Sequence, residues 1–167
     1  MMNKMMNKHG VNLRPGQIII GKWHKQHYVI KRKLGSGTVG SVYLCHAKGK
    51  QVALKISEQN ASIITEVNVL RALEQVQGSN LGPRLLDVDD WVMVTPTHTK
   101  TYSFYVMEYI QGVDIGHFIR QHGKEWLGVF LLQLLTDLER LHQAGWVFGD
   151  LKRENLIVTS SPPKVRL

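Results

Sequence analysis

The sequence predicts an α+β fold in which a β-rich N-terminal lobe with one helix precedes a helical C-terminal lobe. In the first third of the chain, apolar residues form short, often alternating runs separated by glycine-rich turns, which is typical of an antiparallel meander. In residues 61–76 and 125–143 they recur at steps of three and four, which indicates helices. With 167 residues and 43% hydrophobic content, the chain can bury a core without disulfide bonds or metals.

Strands and one helix make up the first two thirds of the chain. We expect strands at residues 17–23, 28–34, 41–47, 51–56, 85–88, 91–96 and 101–109. An acidic turn at Asp89 and Asp90 would separate two of them, and a turn at 97–99 would precede the last. The helix at 61–76 places four apolar residues on one face: Ile63, Val67, Leu70 and Leu73.

The last third is predicted to be mainly helical. A short helix at 116–121 precedes the strongest helix, 125–143, and Gly145 stands where a glycine after a helix C-terminus is expected. A strand pair at 156–158 and 165–167 then follows. The strong helix carries a stripe of leucines: Leu127, Leu131, Leu134, Leu138 and Leu141.

Charge is distributed unevenly along the chain. There are 21 basic and 13 acidic residues, for a net charge of +8, and residues 1–57 hold 11 of the basic residues and none of the acidic ones. This segment is either a solvated basic face or a source of attraction for a polyanion such as nucleotide phosphate, nucleic acid or an anionic membrane. Because no nucleic-acid reader motif accompanies it, we do not expect a nucleic-acid partner.

Several classes of protein are excluded or disfavoured by composition. No run approaches the roughly 18 apolar residues of a membrane span. The single cysteine, Cys45, cannot form an internal disulfide, and no secretory segment is recognisable, so we expect a cytoplasmic protein. The histidine pairs 24/27 and 117/122 are not supported by a cysteine or by a cluster of acids in the sequence, and we predict no metal site there.

Residues 35–42, GSGTVGSV, match the pattern G-x-G-x-x-G-x-V. The next residues alternate as a strand does, whereas a dinucleotide-binding fingerprint opens a helix and a Walker loop carries Lys-Ser/Thr after its last glycine. A plain hairpin turn is one interpretation. The other is a hairpin that folds over phosphates, because backbone without side chains lets N–H groups approach an anion.

A lysine and a glutamate follow at positions that suggest a pair. Lys55 lies in the apolar strand VALK at 52–55, where an ammonium is costly to bury without an anion. Glu66, eleven positions later on the predicted helix, could be that anion, with Glu58 and Glu74 as alternatives.

The most specific stretch is residues 148–158, FGDLKRENLIV. Asp150, Lys152 and Asn155 lie in a loop between a helix and a strand pair. The carboxylate can accept a hydroxyl proton, and the ammonium can counter phosphate charge. The amide oxygen can coordinate Mg²⁺.

Taken together, these motifs resemble the protein kinase family, serine/threonine-type and of bacterial appearance, from about residue 28 to 167. The resemblance implies a two-lobe kinase-like fold, with an N-terminal lobe and hinge at 17–110 and a partial C-terminal lobe at 111–167. The polar N-terminus predicts a flexible basic tail at 1–16. The resemblance also implies ATP and Mg²⁺ as cofactors, a protein substrate, Asp150 as catalytic base, Lys152 as γ-phosphate contact and Asn155 as metal ligand. Nucleotide-binding roles are implied for Leu34, Gly35, Ser36, Gly37, Gly40, Val42, Lys55, Glu66, Met107 as gatekeeper, Glu108, Ile110 and Asp114.

Some features depart from the family pattern. Phe148 and Gly149 stand where the family has His-Arg, so we expect no phosphorylation switch through that arginine, and an atypical small-molecule kinase stays open. The family's Asp-Phe-Gly would begin past Leu167, and no Asp or Glu follows Asn155. We therefore expect the chain alone to have little activity. A second polypeptide that completes the C-terminal lobe is one expected partner. We also expect exposed apolar surface on the 127–141 helix. A non-catalytic nucleotide- or partner-binding module is the alternative.

Overall fold

The computed structural model describes residues 11–76, 81–149, 151–160 and 162–166. They form two compact units: the first comprises the described residues up to Val69 together with Leu85–Tyr109, and the second comprises those of 70–84 and from Ile110 onward. The strands are β1 (Ile18–Ile20), β2 (His27–Gly37), β3 (Gly40–Ala47), β4 (Lys50–Ser57), β5 (Leu85–Val94), β6 (Thr99–Glu108), β7 (Val113–Asp114), β8 (Ile157–Thr159) and β9 (Lys164–Arg166). The helices are α1 (Asn60–Gln75), α2 (Ile115–His122) and α3 (Trp126–Gln143).

The first unit contains a six-stranded antiparallel sheet in the order β1-β2-β3-β4-β6-β5. Side chains on a strand alternate between faces, so even-numbered residues of β4 and β6 share one face and odd-numbered ones share the other. The even face is the hydrophobic core, with Leu54 of β4 opposite Val106 of β6, both fully buried. The odd face carries polar residues, among them Lys55 and Tyr105.

The N-terminal segment is more ordered than the flexible tail that we predicted for residues 1–16. Val11 and Leu13 are buried in the core of the first unit. The Tyr43 hydroxyl donates to the Val11 carbonyl (2.7 Å) and accepts from the Leu13 N–H (3.1 Å). The prediction is therefore wrong for residues 11–16, because two apolar side chains in a basic segment are enough to anchor it. Residues 1–10 lie outside the described part of the chain.

The acidic turn predicted at Asp89 and Asp90 is also wrong, because β5 runs unbroken through both residues. The Asp89 side chain is buried, and its carboxylate accepts backbone N–H groups of Trp23 (2.9 Å) and His24 (2.8 Å). A Cβ at Gly21 would lie 2.2 Å from this carboxylate, so glycine is required there. An acid is tolerated inside a strand here because donors from a loop distant in sequence satisfy it.

Helix α1 has the buried face that its periodicity predicted: Ile63, Val67 and Leu70 are buried. In the second unit, α2 and α3 pack with a small three-stranded antiparallel sheet, β7-β8-β9, whose two-residue strand β7 had no signal in the sequence. The core there is formed by Phe118, Phe130, Leu156, Val158 and Val165.

The leucine stripe of α3 is divided in the structure. Leu141 is buried, whereas Leu127 and Leu131 are 48% and 57% exposed, so apolar surface is exposed on this helix as expected. Among the described residues, no helix combines the length and the apolarity that a membrane span requires.

We predict that Asp89→Asn lowers the free energy of unfolding by about 1–3 kcal/mol at pH 7, because an amide turns an N–H donor toward the backbone N–H donors. Burial tends to raise the pKa of Asp89, but the N–H groups of His24, Trp23 and Asp90, with His24 nearby, hold it below the usual aspartate value. A depressed pKa stabilises the fold above the unfolded-state pKa, near 3.9, and this contribution is lost as pH falls through the folded-state pKa.

Urea unfolding at pH 7 and at about pH 3 measures this effect. The difference between wild type and Asp89→Asn should be full at pH 7 and should shrink in acid. A difference that stays constant with pH would contradict the role assigned to the Asp89 carboxylate.

Candidate functional site

The glycine-rich segment forms a tight hairpin. Strand β2 extends to Gly37 and β3 begins at Gly40, so the loop consists of residues 38 and 39 alone. Register pairs join Gly35 to Val42 and Gly37 to Gly40, and the register shifts at Leu34. Most of the 35–42 motif therefore belongs to the two strands, and only two of its residues form the turn.

The three glycines of this hairpin have different physical roles. Gly40 is buried, has φ +114°, and a Cβ there would lie 2.4 Å from the Ile56 carbonyl oxygen. Gly35 and Gly37 are exposed, and a Cβ on either would meet no described atom within 4 Å. Gly40 is therefore required by packing, whereas the other two leave exposed backbone that an anion can approach.

The odd face of the sheet assembles residues from three strands. Lys55 of β4 pairs in register with Val42 of β3 on one side and Tyr105 of β6 on the other. In the neighbouring row, Ala53 pairs with Met107. Val42, Lys55 and Met107, which were predicted separately from distant motifs, thus share one face of one sheet.

Lys55 and Glu66 form an ion pair, with Lys55 Nζ 2.6 Å from Glu66 Oε1. The side chains are 20% and 32% exposed, so the pair is only partly accessible to water. The first alternative partner, Glu58, instead pairs with Lys100 at 2.6 Å. The short interval between Lys55 and Glu66 therefore suffices to bring helix α1 back over β4.

Glu66 has a second partner that the sequence analysis missed. The Tyr105 hydroxyl donates to Glu66 Oε2 at 2.8 Å, and Tyr105 is 5% exposed. Burial, together with the adjacent Glu66 carboxylate, raises the pKa of Tyr105 above its usual value, so the hydroxyl stays protonated and donates. The signal was present: Tyr105 lies two residues before Met107 on an alternating strand and must share its face.

The predicted hinge begins where β6 ends. Glu108 is the last residue of β6 and pairs in register with Val52, while Ile110 is half-buried and is the first residue assigned to the second unit in this region. Adenine-binding roles for Met107, Glu108 and Ile110 stay predictions.

In the second unit, the loop after α3 carries the remaining predicted residues. Asp150 lies outside the described residues. Lys152 is exposed, and its carbonyl accepts the Asn155 N–H at 3.0 Å, which closes a short 3₁₀ turn at Arg153–Asn155. Phe148, which replaces the family histidine, packs against the buried cluster of Val76, Leu81 and Leu141.

Asp114 caps helix α2 in the structure. Its carboxylate accepts the His117 N–H at 3.0 Å, a structural role that the sequence analysis did not anticipate. That hydrogen bond, with Arg120 and Arg153 nearby, holds the pKa of Asp114 below its usual value. Arg153, which had no role in the sequence analysis, is thus a neighbour of the predicted ribose-binding acid.

One histidine lies among acids, contrary to the sequence pattern. His24 Nδ1 is 2.7 Å from Asp87 and 3.7 Å from Asp89, although those residues are more than sixty positions away. The oxygens of Asp89 already accept three backbone N–H groups. We interpret this cluster as the anchor of the 21–25 loop.

Comparisons of the sequence with a family model and with known proteins indicate the same family. A sequence model described as the protein kinase domain matches residues 28–167. The serine/threonine-protein kinase YabT of Bacillus subtilis is 43% identical over 166 residues, which cover 99% of this chain and 48% of YabT. Protein kinase PINOID 2 of Arabidopsis thaliana is 30% identical over 146 residues, which cover 80% of this chain and 26% of that protein. The chain therefore spans about half the length of YabT and less of PINOID 2.

Solved structures show the same fold. The kinase domain of Mycobacterium tuberculosis PknI matches with a TM-score of 0.59 at 18% identity, over 93% of this chain and 62% of that chain. This likeness bears on the fold, and it confirms the α+β kinase-like fold that the sequence predicted.

We predict that Gly40→Ala and Gly37→Ala differ strongly in stability. Gly40→Ala forces an L side chain into a positive φ and against a backbone carbonyl, which should cost about 2–4 kcal/mol of unfolding free energy. Gly37→Ala should change it by less than about 1 kcal/mol, because the site is open. Thermal or urea unfolding of both variants measures this, and equal destabilisation would contradict the separate roles of the two glycines.

Proposed function

The chain belongs to the protein kinase family, and on this basis we propose that it binds ATP and transfers the terminal phosphoryl group to serine or threonine hydroxyl groups of a protein. The observation that carries the proposal is the Lys55–Glu66 ion pair on the odd face of the sheet. The serine/threonine specificity is carried over from YabT, which is so described and is 43% identical.

Lys55 is the residue proposed to hold the phosphates of ATP. An ammonium in a partly buried position is stabilised by an anion, and Glu66 supplies one without consuming all of its three N–H donors. The remaining donors can bind phosphate oxygens by charge-assisted hydrogen bonds. Glu66 fixes the ammonium in place, so the cost of ordering a long side chain is met before nucleotide binds.

The glycine hairpin and the neighbouring row suit the rest of the nucleotide. Gly35 and Gly37 expose backbone for the phosphates, with Leu34, Ser36, Gly40 and Val42 as further proposed contacts. On the same face as Lys55, Ala53 has a small apolar side chain and Met107 has a flexible one. Met107, Glu108 and Ile110 are proposed to bind adenine.

The loop of residues 148–158 is proposed to supply the chemistry. Asp150 would accept the proton of the substrate hydroxyl, and Lys152 would counter charge on the transferred phosphoryl group. Asp114 would bind ribose by an oxygen that its cap to His117 leaves available.

Mg²⁺, when bound, would neutralise charge between the phosphates. The chain offers Asn155 as a neutral oxygen ligand, and no carboxylate follows Asn155 in the sequence. Because Mg²⁺ sites in proteins normally include a carboxylate, these residues fit only part of a magnesium site. The alternative function is a non-catalytic nucleotide-binding or partner-binding module. The cytoplasmic location remains a prediction.

We predict that Lys55→Met weakens ATP binding by about tenfold or more, because one charge-assisted contact to phosphate is lost. Titration with a fluorescent ATP analogue measures the affinity. Adenosine, which has no phosphates, should bind wild type and Lys55→Met equally.

Lys50→Met is the matched control, since Lys50 is an exposed lysine at the start of the same strand. Its ATP affinity should equal that of wild type. Unchanged ATP affinity in Lys55→Met would reject Lys55 as the phosphate-binding residue and with it the observation that carries the proposal.

We predict that the 167-residue chain alone transfers phosphate slowly, about 10²–10⁴-fold below a complete kinase, which is roughly the contribution of one positioned catalytic group. Adding a polypeptide that begins with an Asp-Phe-Gly segment should restore Mg²⁺-dependent transfer from labelled ATP to a serine/threonine peptide. Asp150→Asn should abolish the restored activity, because an amide cannot accept the hydroxyl proton.

Glu154→Gln provides the control for this experiment, since it neutralises an exposed carboxylate in the same loop. It should leave transfer unchanged. If the chain alone is fully active and Asp150→Asn does not reduce that activity, two assignments are wrong. Asp150 is then not the catalytic base, and the chain does not lack a metal ligand. ATP binding without transfer under every condition would favour the non-catalytic alternative.

A further inference from the structure

Tyr105 occupies a central place in the polar network of the first unit. It lies directly across from Lys55 in the β4–β6 register, and both side chains are on the odd face of the sheet. Helix α1 presents Glu66 to the same face, where it contacts both residues. A lysine, a tyrosine and a glutamate from three elements thus meet at one point.

The two oxygens of Glu66 are divided between these partners. Oε1 accepts from Lys55 Nζ at 2.6 Å, and Oε2 accepts from the Tyr105 hydroxyl at 2.8 Å. A carboxylate held by two donors from neighbouring strands has a fixed position and a fixed rotation, whereas one held by a flexible lysine alone can follow the lysine. Tyr105 is the rigid member, because its buried ring has two rotatable bonds and is packed in place.

Strand β6 also contacts the start of α1 at other points. Ser103, two residues before Tyr105 and on the same face, places its hydroxyl 3.2 Å from Asn60 Oδ1 and 2.8 Å from Asp90 Oδ1. Lys100 pairs with Glu58, just before the helix. Ser103 and Tyr105 thus both connect β6 to α1, and Tyr105 contacts the glutamate of the ion pair.

We propose that Tyr105 is a positioning residue, which acts through Glu66 to hold the Lys55 ammonium where phosphate binds. This inference rests on the proposed ATP-binding function of Lys55. It implies that the Lys55–Glu66 pair is assembled before nucleotide arrives, since the hydroxyl that fixes Glu66 belongs to the sheet and not to a ligand. The position of Glu66 is then set by contacts within the first unit.

Tyr105→Phe in the full 167-residue chain tests the proposal, because it removes the hydroxyl and keeps the buried ring. Titration with a fluorescent ATP analogue should show about 3–10-fold weaker binding, the range of one hydrogen bond. Adenosine affinity should be unchanged. Equal loss for ATP and adenosine, or no loss for ATP, would overturn the proposal.

The matched control is Tyr102→Phe. Tyr102 lies on the same strand but on the opposite face, where it stacks on Trp91 in the core. The Tyr102→Phe variant should bind ATP and adenosine with the affinities of the wild type. If Tyr105→Phe has a lower melting temperature, the same titrations are carried out at a temperature at which thermal unfolding shows this variant to be fully folded.

A double-mutant cycle separates positioning from a general structural effect. In a Glu66→Gln background, Tyr105→Phe should cause little further loss of ATP affinity, because the residue through which it acts is already altered. Additive losses would overturn the proposal. Lys55→Met distinguishes failure of the proposed function from failure of the positioning role. If Lys55→Met leaves the ATP affinity unchanged, the proposed function fails. If Lys55→Met weakens ATP binding and Tyr105→Phe does not, only the positioning role of Tyr105 is rejected.

Discussion

The requirement that a partly buried ammonium have an anionic partner governs the first unit. Lys55 interrupts the apolar pattern of β4, and a lysine in this position is costly unless a carboxylate reaches it. Glu66 meets that requirement only if α1 packs with its second turn against the odd face of the sheet. The place at which α1 meets the odd face of the sheet is therefore marked by this one pair.

The alternation of strands β4 and β6 explains how one sheet serves two purposes. Even-numbered residues such as Leu54 and Phe104 are fully buried and supply the apolar area that stabilises the unit. Odd-numbered residues such as Lys55 and Tyr105 lie opposite each other and carry the polar network. Because the strands are fixed by the core, the side chains proposed to act on nucleotide stand on a rigid support, which is the condition for preorganised binding.

The glycines of the hairpin and two of the aspartates show that one residue type can have different physical roles. Gly40 is a packing glycine, while Gly35 and Gly37 leave backbone open. Asp89 anchors a loop from inside a strand, and Asp114 caps a helix. Each of these distinctions depends on what lies nearby in space, so a motif by itself assigns the residue but not its physical role.

Local pattern determined much of this protein. Alternation located most of the strands, helical spacing located α1 and α3, and the motifs around Lys55, Glu66 and residues 148–158 indicated the kinase family, since each of these signals lies within a few residues of sequence. Tertiary structure decided what depends on distant residues. The burial of Val11 and Leu13, the unbroken strand through Asp89, the loop donors that make it possible and the contact of Tyr105 with Glu66 all join segments far apart in the chain. No local period encodes such contacts, because they arise only when the sheet and the helix have packed.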